Sequence, residues 1–194
     1  MAEKKEKKKW WLILFIVFIM IGTSFSFIFF GFSPQNDVVR HNGIKFAKNP
    51  SQNIWIARVN GREAAFSFLP SEVQSIPMPA DSAAKLKNKF EIDTAYDLNS
   101  TYKEAIALAQ HQMGLTLNAY SIYVRKGFTA NNTFSMPVIT CNDATSSAPV
   151  IYFRHGNVTG IHSDSNCIIA EAAANADFIR VKDRLLYGIL GVLE

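Results

Sequence analysis

The chain has 194 residues, a hydrophobic content of 48% and a formal net charge of +4. The charge is unevenly placed: residues 1–9 carry five Lys against two Glu, net +3, while the rest carries 15 Lys/Arg against 14 Asp/Glu, net +1. A near-neutral body of about 160 residues has no basic stripe, which excludes nucleic-acid partners, and it is long enough for one domain with its own core.

The Lys-rich leader, residues 1–9, runs directly into Trp10–Phe32, an uncharged stretch of 23 residues interrupted only by Gly22, Thr23, Ser24, Ser26 and Gly31. As an α-helix it would reach about 34 Å, enough for a hydrocarbon core of about 30 Å. The expectation is a transmembrane signal anchor contacting the lipid bilayer through residues 10–32. Lys is enriched on cytoplasmic flanks, so the N-terminus is expected in the cytoplasm and residues 33–194 outside. The run is longer than a secretory h-region and lacks an A-x-A-like site. Cleavage, or helix packing through Gly22–Ser26, is the lesser alternative.

Ser33 and Pro34 end the span, and two hairpins follow. Asn42–Gly43 separates Val38–His41 from Ile44–Phe46, and Asn60–Gly61 separates Ile54–Val59 from Arg62–Leu69. Asn-Gly accepts the positive φ of a tight hairpin turn, so an antiparallel meander is expected. Pro70, Pro77 and Pro79 break regular structure. Residues 81–88 look helical, capped by Asp81 or Ser82. Phe90–Thr94 alternates as a half-buried strand.

Thr101-Tyr-Lys-Glu104 has the capping-box pattern, and Tyr102, Ile106, Ala109 and Met113 fall on one helical face, with Gly114 placed to end the helix. Beyond it, Leu115, Leu117 and Ala119 share one parity and Tyr120, Ile122 and Val124 the other, which reads as a strand with a bulge or two covered faces. Val138–Cys141, Val150–Phe153 and Cys167–Ala170 are short β-prone runs, giving a small all-antiparallel layer. A C-terminal helix over 175–193 carries a stripe of Phe178, Val181, Leu185, Ile189 and Val192 and is expected to be buried on the sheet, with Arg180, Lys182, Asp183 and Arg184 off the stripe. The fold class is α+β: a transmembrane helix, then one domain with a mostly antiparallel sheet, a central amphipathic helix and a C-terminal helix.

Three stretches, Ile139-Thr-Cys-Asn-Asp-Ala-Thr145, Asn166-Cys-Ile-Ile169 and Asp183-Arg-Leu-Leu-Tyr-Gly-Ile-Leu-Gly191, carry a resemblance to uncharacterised membrane-anchored proteins of archaeal type. The hairpins around Asn42–Gly43 and the run from Phe66 to Val73 are similar too. The resemblance implies an anchored domain and no activity.

Cys141 and Cys167 are an even pair in a chain expected outside the cell, which suggests a disulfide; two buried thiols are the alternative. Phosphate-cradling loops, H-E-x-x-H, C-x-x-C and G-x-S-x-G are all absent from the sequence. No cofactor is implied. The best polar cluster is His155, His162 and Asp164, with Cys141, Asp143 and Cys167 near in sequence. Two His and a carboxylate are a candidate metal set, and a Cys with a His a candidate nucleophile, though a disulfide would remove it. His41 and His111 stand alone. Asn99, Asn131 and Asn157 head three Asn-X-Ser/Thr sequons at expected loops and are candidate glycan acceptors. The function expected is a non-enzymatic interaction or assembly subunit of an envelope complex, with a protein partner or self-association. The alternative is a membrane-tethered hydrolase or metal-binding enzyme using His155, His162 and Asp164.

Overall fold

The computed structural model of the chain describes residues 10–11, 13–20 and 37–193. Contacts divide the chain into two compact units, Met1–Asn36 and Asp37–Glu194. In the first, residues 10–11 and 13–20 are helical (α1), and all of these side chains are exposed. Among the described residues no helix is long and apolar enough to cross a membrane. The remainder of the expected span, residues 12 and 21–32, and the leader at 1–9 lie outside the described residues.

The second unit is an α+β domain. Its first half is a four-stranded antiparallel meander of β1 (Val38–His41), β2 (Ile44–Asn49), β3 (Ile54–Val59) and β4 (Arg62–Phe66). Asn42 and Gly43 take φ of 48° and 79°, and Asn60 and Gly61 take 49° and 81°, so both tight turns form where the Asn-Gly pairs stand. Two short helices follow, α2 (Pro70–Val73) and α3 (Ala80–Leu86). α3 starts one residue before its expected caps. Asp81 therefore sits inside the first turn, where it bonds Lys85 and Ser163.

The second half departs from the expected antiparallel layer. β5 (Glu91–Tyr96), β6 (Tyr123–Phe128), β7 (Val150–His155), β8 (Gly160–Asp164) and β9 (Cys167–Ala172) form a five-stranded sheet in the order β6-β5-β7-β9-β8. The β5–β6, β5–β7 and β7–β9 pairings are parallel; only β8–β9 is antiparallel. For the β5–β6 pair the cause is α4 (Lys103–Asn118). At 16 residues it is long enough to serve as the crossover of a β5-α4-β6 unit. Gly114 lies inside this helix rather than at its end, and Leu115 and Leu117 belong to its last turns instead of a strand. The Thr101–Glu104 capping box does not form either: Tyr102 is the N-cap, with no side-chain cap bond. β5 is central rather than half-buried, with residues 92–96 all buried. α5 (Asp177–Leu190) ends on Gly191 at φ 75°, a left-handed cap.

α4 and α5 are sandwiched between the two sheets. On one side Thr116 donates to the Ala65 carbonyl of β4, and the Tyr187 ring stacks on Phe66 at 4.2 Å. On the other side, Ile151, Phe153, Ile168 and Ala170 join Ile106, Met113, Val181 and Leu185 in one core. This double covering explains α5, in which every residue from 181 to 190 is buried, Lys182, Asp183 and Arg184 included. Lys182, Asp183 and Arg184 are therefore not off the buried surface, as the stripe suggested, whereas Arg180 is half-buried. Asp183 accepts the Ser67 and Phe68 amides at 2.8 Å each and pairs with Lys182, so the buried charges clamp the end of β4 to α5.

Among the described residues, helices cover one face of the five-stranded sheet. The other face is covered by the segment between β6 and β7, which includes a 3-10 turn at Cys141–Asp143. Ala95, Ile139, Val150 and Cys167 form a small second core there. The Cys141–Cys167 disulfide, with Cα atoms 5.2 Å apart, fastens the segment to β9.

Candidate functional site

Strand parity decides the fate of the polar cluster read from the sequence. On β7 His155 pairs across to Ala172, while on β8 His162 pairs to Ile169 and Asp164 to Cys167. Ala172 and Ile169 differ by an odd number of positions along β9, so His155 projects to the helical face, and His162 and Asp164 to the opposite one. His155 stacks on Tyr102 at 4.8 Å. His162 contacts Glu171 through Nε2 at 3.1 Å, and Glu171 also pairs with Arg154. Among the described residues no group of three or more His, Cys, Asp or Glu is gathered so as to hold a metal ion. The candidate set His155, His162 and Asp164 therefore does not converge. Cys141 and Cys167 are bonded, which withdraws the thiol nucleophile. Asp143 accepts both the amide and the hydroxyl of Thr140, and these bonds hold its carboxyl below the ordinary carboxylate range. Asn99, Asn131 and Asn157 are all exposed and lie outside helices and strands. His111 is exposed on α4, and His41 closes the first hairpin opposite Ile44.

A different place in the fold has the form of a binding site. Just beyond the carboxyl ends of β5 and β6 the structure opens into a pocket of about 460 Å³. Carboxyl ends of parallel strands are where open α/β sheets hold ligands, and the volume lies within the range of small-molecule sites. Tyr96 and Phe128, the last residues of the two strands, form its floor with their rings edge to face at 5.1 Å. Phe134, 65% exposed, stands beside Phe128 at 6.1 Å, and Leu98 and Met136 complete the apolar lining. Burial pushes the Tyr96 phenol above its ordinary range, so it stays uncharged at neutral pH.

The backbone builds this wall around one glycine. After β6 the chain turns out through 129–136 and returns so that Phe128 donates to Pro137 O at 3.0 Å and accepts from the Ile139 amide at 2.8 Å. A Cβ on Gly127 would meet Pro137 O at 2.6 Å and Ile139 Cδ1 at 2.7 Å, so only glycine lets the returning chain cross here. The disulfide at Cys141 then fixes the base of the same segment.

Two polar groups enter the lining from α4 and β6. Gln110 is 3% exposed, and its Nε2 has no hydrogen-bond partner among the described residues. A buried donor left unmatched costs about 1–3 kcal/mol, and most buried polar groups avoid it. Lys126 also lines the pocket and has no ion pair among the described residues. A Cβ on Gly114 would lie 3.6 Å from Lys126 Cε, which places the lysine stem one helical turn beyond Gln110 on α4. Among the described residues no acidic side chain shares the lining.

Sequence reasoning missed this pocket because its walls come from three separated segments. Its legible traces are Gln110 on the buried side of an amphipathic helix, Gly127 at a strand end, and Phe134 and Met136 in a loop. No family model, curated protein or solved structure matches the chain.

Proposed function

We propose that the chain is a single-pass membrane protein whose extracytoplasmic domain is a binding module, serving as an interaction or assembly subunit of an envelope complex rather than as an enzyme. The observation that carries this is the open, apolar-walled pocket at the ends of β5 and β6, built on a disulfide-fastened segment that leaves Phe134, Met136 and Val138 exposed. Exposed large apolar groups gathered at one place mark contact surfaces. The disulfide suits an oxidising compartment, and three exposed sequons suit a glycosylated exported surface. The basic leader and the uncharged run at 10–32 supply the anchor and its orientation. The resemblance to archaeal-type anchored proteins is in keeping with this.

The hydrolase alternative is left without a constellation, since His155 faces away from His162 and Asp164. The test is purification of the full chain in mild detergent. A stoichiometric partner or self-association is expected, weakened by Phe134→Ser and Met136→Ser together. A clean monomer with no partner contradicts the proposal.

A further inference from the structure

We infer that the pocket at the ends of β5 and β6 takes the indole ring of a tryptophan carried by the partner polypeptide, with Gln110 Oε1 accepting the indole N–H and the Tyr96, Phe128 and Phe134 rings around its body. This deepens the binding-module proposal and rests on it.

The reachable end of Gln110 sets the sign of the ligand. Its Nε2 is sealed from solvent without a partner. Its Oε1 accepts no hydrogen bond among the described residues and is not sealed in that way, so the carbonyl is the end of the amide that the cavity reaches. A carbonyl only accepts, so the complementary group is an N–H or O–H donor. The Tyr96 hydroxyl in the same lining can donate or accept and sets no sign.

Charge and wall chemistry narrow the donor. Among the described residues no acidic side chain shares the lining, and Lys126 Nζ lies 4.0 Å from where a Cβ on Gly114 would stand, one turn along α4 from Gln110. An arginine or lysine from a partner would be buried near a like charge with no counter-charge, so the donor is neutral. The rings of Tyr96, Phe128 and Phe134 and the Met136 thioether favour an aromatic body over a small hydroxyl or amide side chain. An indole brings one donor and no acceptor, which matches one open carbonyl; a phenol adds lone pairs that need a donor in turn. The apolar surface also runs past the cavity: Val138, outside the lining, is 45% exposed and bridges to Phe128. A ring on a polypeptide covers that rim where a free ring does not, and tryptophan is favoured as the buried anchor of such contacts.

The experiment uses the full chain in lipid nanodiscs with 13C-methyl methionine, the Met136 methyl signal being assigned by its loss in Met136→Leu. The probes are the end-capped peptide Gly-Trp-Gly, the same peptide built on 1-methyltryptophan, which lacks the N–H, and free indole-3-acetamide. The expected result is a saturable ring-current shift of Met136 from Gly-Trp-Gly, with the methylated peptide at least about ten-fold weaker. Gln110→Met, which keeps the volume and removes the acceptor, is expected to bring the two peptides within about two-fold of each other. If that variant does not fold, the two peptides compared on the wild-type chain decide alone. Equal or tighter binding of the methylated peptide, an undiminished preference in Gln110→Met, or no Met136 shift overturns the inference. Tighter binding of indole-3-acetamide than of Gly-Trp-Gly overturns the polypeptide as its source. If the inference fails in any of these ways while the detergent-purified chain still holds its partner, the indole assignment falls and the binding module stands. A saturable, N–H-dependent shift in a chain that purifies as a clean monomer supports the indole site and contradicts the assembly role alone.

Discussion

Asp183 shows how much of the fold hangs on single buried groups. Its carboxylate receives the Ser67 and Phe68 amides and lies against the Lys182 ammonium, all inside the helix layer. Asp183→Ala would leave a buried lysine unpaired and two amides unmatched, a loss of about 3–5 kcal/mol. Urea unfolding of the paired variant Lys182→Met with Asp183→Asn should recover a large part of it. Tyr187, one turn on, donates to Phe68 O at 2.6 Å, and burial with the nearby Asp183 charge raises its phenol far above the ordinary range. The folded state therefore keeps this proton where the unfolded chain releases it near pH 10, so its contribution is whole below pH 10 and is lost as pH rises beyond. Absorbance at 295 nm should show one tyrosine ionising only together with unfolding; its free titration near pH 10 in the folded protein would contradict the assignment. None of these roles is legible from residue type. Lys182, Asp183 and Arg184 look like a solvated face until a second sheet is laid over the helix that bears them.

At the scale of elements, the hairpins were legible because Asn-Gly turns are local: two residues with positive φ fix a register without help from the rest of the chain. The parallel sheet was not legible, and the reason lies in α4. Reading Gly114 as a helix end cut the crossover short and turned Leu115–Ala119 into a strand, which removed the element that joins β5 to β6 in parallel. Packing against β6 carries the helix through its glycine instead. A methyl at Gly114 meets only ordinary contact, Lys126 Cε at 3.6 Å. Gly114→Ala is thus expected to stabilise the domain by about 1 kcal/mol. Gly127→Ala is the counterpart. Its methyl would strike the returning backbone at Pro137, so thermal unfolding should register a loss of about 1–3 kcal/mol and the Met136 methyl signal should move. A silent Gly127→Ala would mean the segment does not cross where it is described.

For the molecule as a whole, helices cover one face of the five-stranded sheet and a disulfide-fastened segment covers the other. The bond closes a separation of 26 residues, and such loops stabilise by about 3–4 kcal/mol through the entropy of the unfolded chain. Replacing both cysteines by alanine should lower stability by roughly that amount and raise hydrogen exchange in 129–149 above that of the meander. The sequence pointed to this bond through cysteine parity and expected compartment, whereas the pocket it supports needed three distant segments brought together. That pocket face is where the protein is proposed to meet its partner. The most direct measurement is photo-cross-linking in intact cells, with a photoreactive residue at Phe134 and, as control, at exposed Arg58 on the meander. A single adduct of fixed mass from position 134 and none from position 58 is predicted; no adduct at 134, or the same adducts from both positions, would contradict it.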